Sequence, residues 1–433
     1  MSQTNEKLLT LIRRSPSPFH AVAAAADLLE QAGFTRLEEG SAWTLVPGGQ
    51  YYVTRNQSSL IAFRLPSETL TAWRMTAAHS DVPTFAVKGD RLDGDAKYAR
   101  LSAEGYGGMI HYTWMDRPLT VAGRVIVRTQ SGVESRLVYL DRDLLTMPSL
   151  AIHQQRDVNR GHEFNGQKEL QPLYGLSGGK SLTALLAEAL HVAESDILGR
   201  DLFLCPRQKA VRIGAEGELF QSPRIDDLAC AYATLEGFLN AGKSAKLGQI
   251  YCLFDNEEVG SGTRQGAKST LLPDVLERAA DALHLTGEQR RMALAHSMLL
   301  SADNGHAVHP NFPEKADPAN RVYPNGGIVV KYSANQKYTT NGVTAGLFRA
   351  VCDEAGVPVQ IFANRADEAG GSTLGNLLTQ LVSIPMVDIG MAQLAMHSAV
   401  ETAGSEDPAH MAKACEAFFR KEFVQTADGI YTF

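Results

Sequence analysis

Hydrophobic and polar positions along the chain change period repeatedly, and the changes mark its elements. Residues 249–254 form a short apolar run bounded by turn residues, the pattern of a buried strand. Residues 71–78, 202–205, 297–302, 328–331 and 382–389 read the same way, and the alternation across 51–63 is also strand-like. Helical signals lie between them. Ser17 stands as an N-cap before Pro18, an apolar stretch follows through Leu29, and Gly33 lies past its end. Apolar residues through Phe238 and the amphipathic stretch 341–354 predict two more helices. Together these predict an α/β domain around an open sheet, whose ligands gather at the carboxyl ends of its strands.

From about residue 90 to 200 the texture changes. Glycines multiply and short β-rich runs appear, such as 120–128 and 136–140, punctuated by Gly105-Tyr106-Gly107-Gly108 and Asp116-Arg117-Pro118. This predicts an inserted β-rich module at 90–200 that divides the α/β domain into 1–89 and 201–433. A chain of 433 residues suits two domains, and its 44% hydrophobic and 21% charged residues are ordinary for a soluble enzyme. The net charge of −7, without a basic block, argues against nucleic acid as a partner. No apolar run approaches membrane-spanning length, so no membrane partner is expected. Five scattered cysteines without CxxC spacing argue against a disulfide framework or a thiolate metal site. With no secretory pattern in residues 1–7, a cytoplasmic location is expected.

Candidate chemistry sits where the strand-like runs stop. Glu257 and Glu258 follow residues 249–254, and His79-Ser80-Asp81 follows residues 71–78. Asp303 closes residues 297–302, while His397 comes soon after residues 382–389. Asp226 and Asp227 stand at the start of a helix, where a carboxylate is commonly just an N-cap. Each taken alone has a bland reading: a solvated acidic turn, a hydrogen-bonded turn, a helix cap. His153, after Leu150-Ala151-Ile152, reads as a core histidine, and His306 and His309 fall in a loop. Lys331 stands at the edge of its strand, and residues 370–375 could open a helix with amide donors suited to anions. Two glycine motifs fail: Tyr174 occupies the first glycine position of a phosphate loop, and residues 260–266 miss GxGxxG by one. Taken together, imidazoles and carboxylates without thiolates suit a zinc-type or other divalent hydrolytic centre of one or two ions.

The same residues fall in an ordered set of motifs: Ser17-Pro18-Phe19-His20, His79-Ser80-Asp81, Asp116-Arg117 through Arg124, Ile152-His153, Pro223-Arg224-Ile225-Asp226, Asp255 through Ser261, Ser301-Ala302-Asp303 through Pro310, and Gln393 through Ser398. In this order, nearly end to end, the chain resembles the aspartyl aminopeptidases of the M18 metallopeptidase family. The resemblance implies a zinc-peptidase-like α/β/α catalytic domain interrupted by a β-rich dimerisation domain. It implies two Zn2+ per subunit, with another divalent ion admissible at one site. Asp226 would bridge them, His79 and Asp303 would hold one, and Glu258 and His397 the other. Glu257 would be the general base and Asp81 a supporting carboxylate beside His79. Implied partners are small peptides with an acidic amino-terminal residue, recognised by Lys331 and His306, and a homododecamer in which His153 reaches a neighbouring subunit's site. Two positions depart from the family pattern: Asp227, where many members have Asn, and His111-Tyr112, where many have Trp near a histidine. The rival expectations are a broader metallopeptidase or deacylase with the same centre, and a catalytically idle peptide-binding scaffold.

Overall fold

In the computed structural model, which describes residues 3–91, 97–368 and 370–433, the short apolar runs assemble into one nine-stranded sheet, except 202–205, which pairs into the inserted sheet instead because its strand runs antiparallel beside Leu119–Thr129. The strands Leu247–Phe254, Ala72–His79, Met298–Ala302 and Met386–Gly390 lie side by side and parallel at its centre. Every residue of these four strands is buried, which explains why the sequence shows near-continuous apolar runs there. Successive side chains still point to opposite faces: Tyr251 and Leu253 enter one core, Ile250, Cys252 and Phe254 the other. The helices Pro18–Gln31, Ile225–Ala241, Gly342–Ala355 and Asp407–Arg420 close the first face, and Leu271–Ala282 with Leu374–Leu378 close the second. The result is a three-layer α/β/α domain.

Local signals act largely as the sequence predicts. Ser17 is extended, Pro18 opens the helix Pro18–Gln31, and the chain reverses at Gly33 with φ 81°. The Ser17 hydroxyl, however, bonds His20 Nδ1 at 2.8 Å and leaves the helix amides without a side-chain cap. Asn341 caps Gly342–Ala355, its Oδ1 accepting from Val343 N and Thr344 N. The strand expected at 382–389 begins only at Met386, because Pro385 before it has no N–H to offer the sheet. Gly237 lets two helices touch: a methyl group there would stand 2.6 Å from Ala412 O of Asp407–Arg420.

The β-rich insertion is a separate antiparallel sheet of six strands, Thr84–Arg91, Tyr98–Tyr106, Leu119–Thr129, Gly132–Tyr139, Leu173–Leu176 and Ile197–Pro206. It starts before residue 90 and ends after 200, because its first and last strands pair with each other and carry the chain in and out of the α/β domain. A third, five-stranded sheet joins Leu219–Ser222, Glu401–Gly404, Ala392–Leu394 and Gly305–His306 to Val211–Ile213 beside the strand ends. Among the described residues, no helix is long and apolar enough to cross a membrane. All five cysteines are buried and unpaired.

Candidate metal centre

Parallel pairing in register, with Phe254 opposite His79, delivers His79, Glu257 and Glu258 to the same edge of the sheet. The neighbouring strand Met298–Ala302 adds Asp303 there. Asn256 adopts a left-handed conformation, φ 62°, so the chain turns sharply into a short 3-10 turn, Glu257–Val259. Asp81 clamps this turn: Oδ1 accepts from Glu257 N and Oδ2 from Glu258 N, both at 3.1 Å. Tyr106, from the inserted sheet, donates its hydroxyl to Asp81 Oδ2 at 2.7 Å. The Asp81 carbonyl lies 3.0 Å from His79 Nδ1, an arrangement that places the proton on Nδ1 and frees the Nε2 lone pair.

Asp226 meets the two histidines from its two oxygens. Oδ1 lies 3.5 Å from His79 Nε2, and Oδ2 lies 3.4 Å from His397 Nε2. His397 Nε2 is also 3.5 Å from Glu258 Oε2. Two donors about 2.0–2.2 Å from one tetrahedral ion stand roughly 3.3–3.6 Å apart, so these spacings fit ions between the groups. Three sets of ligand-type atoms, from His79, Asp226, Asp227 and Asp303, from Asp226, Glu258 and His397, and from His79, Glu257 and Glu258, each lie within 4.8 Å of one another. Asp226 Oδ1, Asp227 Oδ1 and Glu258 Oε1 are buried without a hydrogen-bond partner, as acceptors awaiting a cation are.

The charges point the same way. Burial, then the neighbouring Asp226 carboxylate, pushes Glu258 well above the usual range, and burial does the same to Asp227. Burial also pushes Glu257 up to about 7, with Asp303, Asp81 and Asp226 adding to it and His79 opposing. At Asp226 burial works upward, but the His397 and His79 imidazoles beside its two oxygens outweigh it and hold the carboxyl low. Such crowding of buried acids is relieved by a divalent cation. The helix-cap reading of Asp226 and Asp227 fails: Arg224 occupies the cap position, and both aspartates have non-helical backbones inside Ile225–Ala241. Asp227 instead accepts from His79 N at 3.2 Å.

A cavity of about 300 Å³ opens beside this cluster, walled by Lys331, His306, Tyr338, Phe362, Thr373 and Met396. Lys331 is a buried residue, not a solvent-edge one: only 2% of it is exposed, and Nζ donates to Asn304 O at 2.6 Å with Asp303 Oδ1 at 3.7 Å. Its strand ends under the cavity rather than at the surface. His153 lies outside the cavity, exposed on a loop, so the core reading fails: the apolar residues before it, Leu150 and Ile152, are exposed as well. His111 packs its ring against Phe85 and Phe164, and His309 sits on a loop against Phe312. The helix opened by the glycine-rich stretch is only Leu374–Leu378, and it is Gly371, Ser372 and Thr373 before it that line the cavity wall.

Three contributors were not apparent from sequence. Tyr106 was visible only as part of a glycine-rich turn. Asp388, inside a central strand, accepts from Thr339 N at 2.6 Å, Thr339 Oγ1 at 2.7 Å and Thr373 Oγ1, so one buried carboxylate ties two cavity-lining loops together. Glu401 accepts from Asp226 N at 3.0 Å and His397 N at 2.8 Å. The only signal for Glu401 is its place four residues after His397, and strand pairing is needed to make it meaningful.

Known proteins resemble this chain across nearly its whole length. The family of aminopeptidase I zinc metalloproteases (M18) matches residues 11–419. A probable M18 family aminopeptidase 2 of Clostridium novyi (strain NT) is 40% identical over 423 residues, 95% of this chain and 98% of its own. One from Pseudomonas aeruginosa (strain UCBPP-PA14) is 40% identical over 427 residues, 96% of this chain and 98% of its own. Among solved structures, the cryo-EM structure of the Ape4 and Nbr1 complex superposes with a TM-score of 0.92 at 34% identity, covering 96% of this chain and 85% of that one. The S. cerevisiae mApe1 dodecamer gives a TM-score of 0.85 at 27% identity over 96% of both chains. Because these likenesses take in the cleft and its scaffold together, the chain belongs to the M18 family of zinc aminopeptidases.

Proposed function

We propose that the cleft releases the amino-terminal residue, preferably Asp or Glu, from small peptides at a dinuclear zinc centre. Asp226 would serve both ions, His79 and Asp303 would hold one with it, and Glu258 and His397 the other. The observation that carries this reading is the pair of Asp226 oxygens, each facing the Nε2 of a different histidine at 3.4–3.5 Å. Bound there, zinc would polarise the scissile carbonyl and make a water acidic enough to ionise near neutral pH.

The side chains supply the rest. Glu257 ligates nothing in this scheme: its carboxylate accepts the proton of the attacking water and returns it to the departing amine nitrogen. Its elevated position near 7 suits a group that must both take and give a proton close to neutrality. Asp81 holds the Glu257 backbone, which fixes where that carboxylate points. Lys331 spends one of its three N–H donors on Asn304 O, leaving others for an acidic side chain in the cavity, with His306 across from it.

His153 completes the pocket of a neighbouring copy in a homododecamer built from dimers; the S. cerevisiae mApe1 is itself a dodecamer. Exposed Tyr98 and Leu176, side by side on neighbouring strands at one edge of the inserted sheet, support that sheet as the dimer contact. Buried, unpaired cysteines fit a reducing cytoplasm.

The test is zinc content by elemental analysis together with release of free amino acid from dipeptides beginning with Asp, Glu, Ala or Leu. Glu257→Gln should keep its zinc and lose about 10²–10⁴-fold in kcat. Wild-type turnover in that variant removes Glu257 from the role, and equal rates on all dipeptides replace the acidic preference with a broader peptidase.

A further inference from the structure

Besides Asp81, a second carboxylate at the centre makes a clamp of the same design. Glu401 is 2% exposed and opens the strand Glu401–Gly404 directly opposite Ser222 of Leu219–Ser222. That pairing sets it beside Asp226, four residues past Ser222, while Gln393, four residues before His397, donates to it from Ala392–Leu394. Oε2 accepts from Asp226 N at 3.0 Å, and Oε1 accepts from His397 N at 2.8 Å and Gln393 Nε2 at 3.3 Å.

Both amides need such a partner. Asp226 has φ −82° and ψ 112° inside an otherwise helical segment, and His397 has a left-handed φ of 65°. Neither conformation places its N–H in a helix or sheet ladder, so a buried acceptor must satisfy each. Glu401 supplies both from one rigid, planar group. Its two oxygens are thereby occupied, whereas Asp226 Oδ1 and Glu258 Oε1 are unpartnered, which marks Glu401 as a support and not a ligand.

We infer that Glu401 is a positioning residue: by holding the backbones of Asp226 and His397 from one carboxylate, it sets their separation and hence the cation affinity of the site formed by Asp226, Glu258 and His397. This rests on the dinuclear reading proposed above. The other site also uses Asp226, but its His79 is held by the Asp81 carbonyl and, with Asp303, by the sheet itself, so it should be the less affected.

The experiment titrates metal-stripped wild-type enzyme, Glu401→Gln and Glu401→Asp with Co2+. It follows visible absorption and competition with a chromophoric chelator, with circular dichroism to verify the fold. Gln presents an N–H2 to one of the two amides, and Asp withdraws the carboxylate by one methylene, so neither can serve both. The expected result is two Co2+ equivalents in the wild type, and in both variants one equivalent weakened about 10–100-fold with an altered spectrum while the other is held within about threefold. A folded variant that binds both equivalents with wild-type affinity and spectrum overturns the inference. So does loss of fold in both variants, which would make Glu401 a structural residue only. Failure of the wild-type enzyme itself to bind Co2+ would instead sink the metal-centre reading.

Discussion

Replacing Lys331 with Met separates recognition of an acidic side chain from the rest of the reaction. Burial works against the lysine's charge, but Asp303, with Tyr338 and Asp388, more than offsets it and holds Lys331 above the usual lysine range. It is therefore cationic throughout any practical assay range. A substrate carboxylate about 4 Å from Nζ, in surroundings with an effective dielectric near 20, gains about 4 kcal/mol from that charge. That is up to about 10³-fold in kcat/KM. Part of the charge is already shared with Asp303 Oδ1 at 3.7 Å, so a selective loss of roughly 10²–10³ is expected. Met keeps the length and apolar stem of lysine but leaves Asn304 O without its 2.6 Å donor, a cost to stability of about 1–3 kcal/mol. Disturbance of Asp303 will also slow every substrate. The decisive quantity is therefore the ratio of kcat/KM for Asp- and Ala-terminated dipeptides, measured from initial rates of amino acid release. The ratio should fall by two orders of magnitude or more, and a ratio equal to that of the wild type would refute the assignment of Lys331 as the pocket cation.

Asp81→Ala strips the acceptor from Glu257 N, Glu258 N and the Tyr106 hydroxyl, so zinc affinity measured by chelator competition should weaken about 10–100-fold; an unchanged affinity would show that the turn holds itself. His20 is pushed down from 6.5 to about 4, by burial first and then by Arg224. Because its folded pKa is the lower one, the stability it contributes is complete above about pH 6.5 and is lost as pH falls toward 4. His20→Gln should therefore flatten the pH dependence of urea unfolding across that window, and parallel curves for the two proteins would count against it. Gly237→Ala forces a methyl to within 2.6 Å of Ala412 O and Cys415 Cβ, so it should cost about 1–3 kcal/mol in urea unfolding; a neutral result would mean that the helices can part without cost.

What could be read from the sequence, and what could not, divides along a physical line. A strand buried on both faces must be apolar throughout its length, so the polar residue that ends it is conspicuous, and His79, Glu257 and Asp303 were all found that way. Their convergence follows from parallel pairing, which puts every such ending on one edge. His397 and Asp226 reach that edge from outside the central strands, so the sequence made them candidates only as residues flanking apolar runs, and their ligand roles came from the family resemblance. Burial of polar side chains was the weakest inference, because it depends on what packs across from them. Lys331 ends a β-branched run as a surface lysine would, yet the turn after Asp303 covers it. His153 follows an apolar run as a core residue would, yet the whole loop is exposed.

The supporting carboxylates Asp81, Asp388 and Glu401 explain why so polar a centre can be held in shape. Each bonds backbone or hydroxyl groups on segments distant in sequence, and the local signals are slight: Asp81 stands two residues after His79, Glu401 four after His397, and Asp388 carries none. Asp81 grips the two glutamates, Glu401 grips Asp226 and His397, and Asp388 grips the loops at Thr339 and Thr373 that wall the cavity. The acids that face the proposed ions must keep oxygens free of partners, and cannot also anchor their own backbones. A second set of carboxylates has to do that. Substitutions in this second set should therefore change metal affinity and substrate affinity separately: Asp81 and Glu401 govern the first, and Asp388 the second. A loss of zinc in Asp388→Asn as large as that in Asp81→Ala would mean that the centre and the pocket are held as one unit.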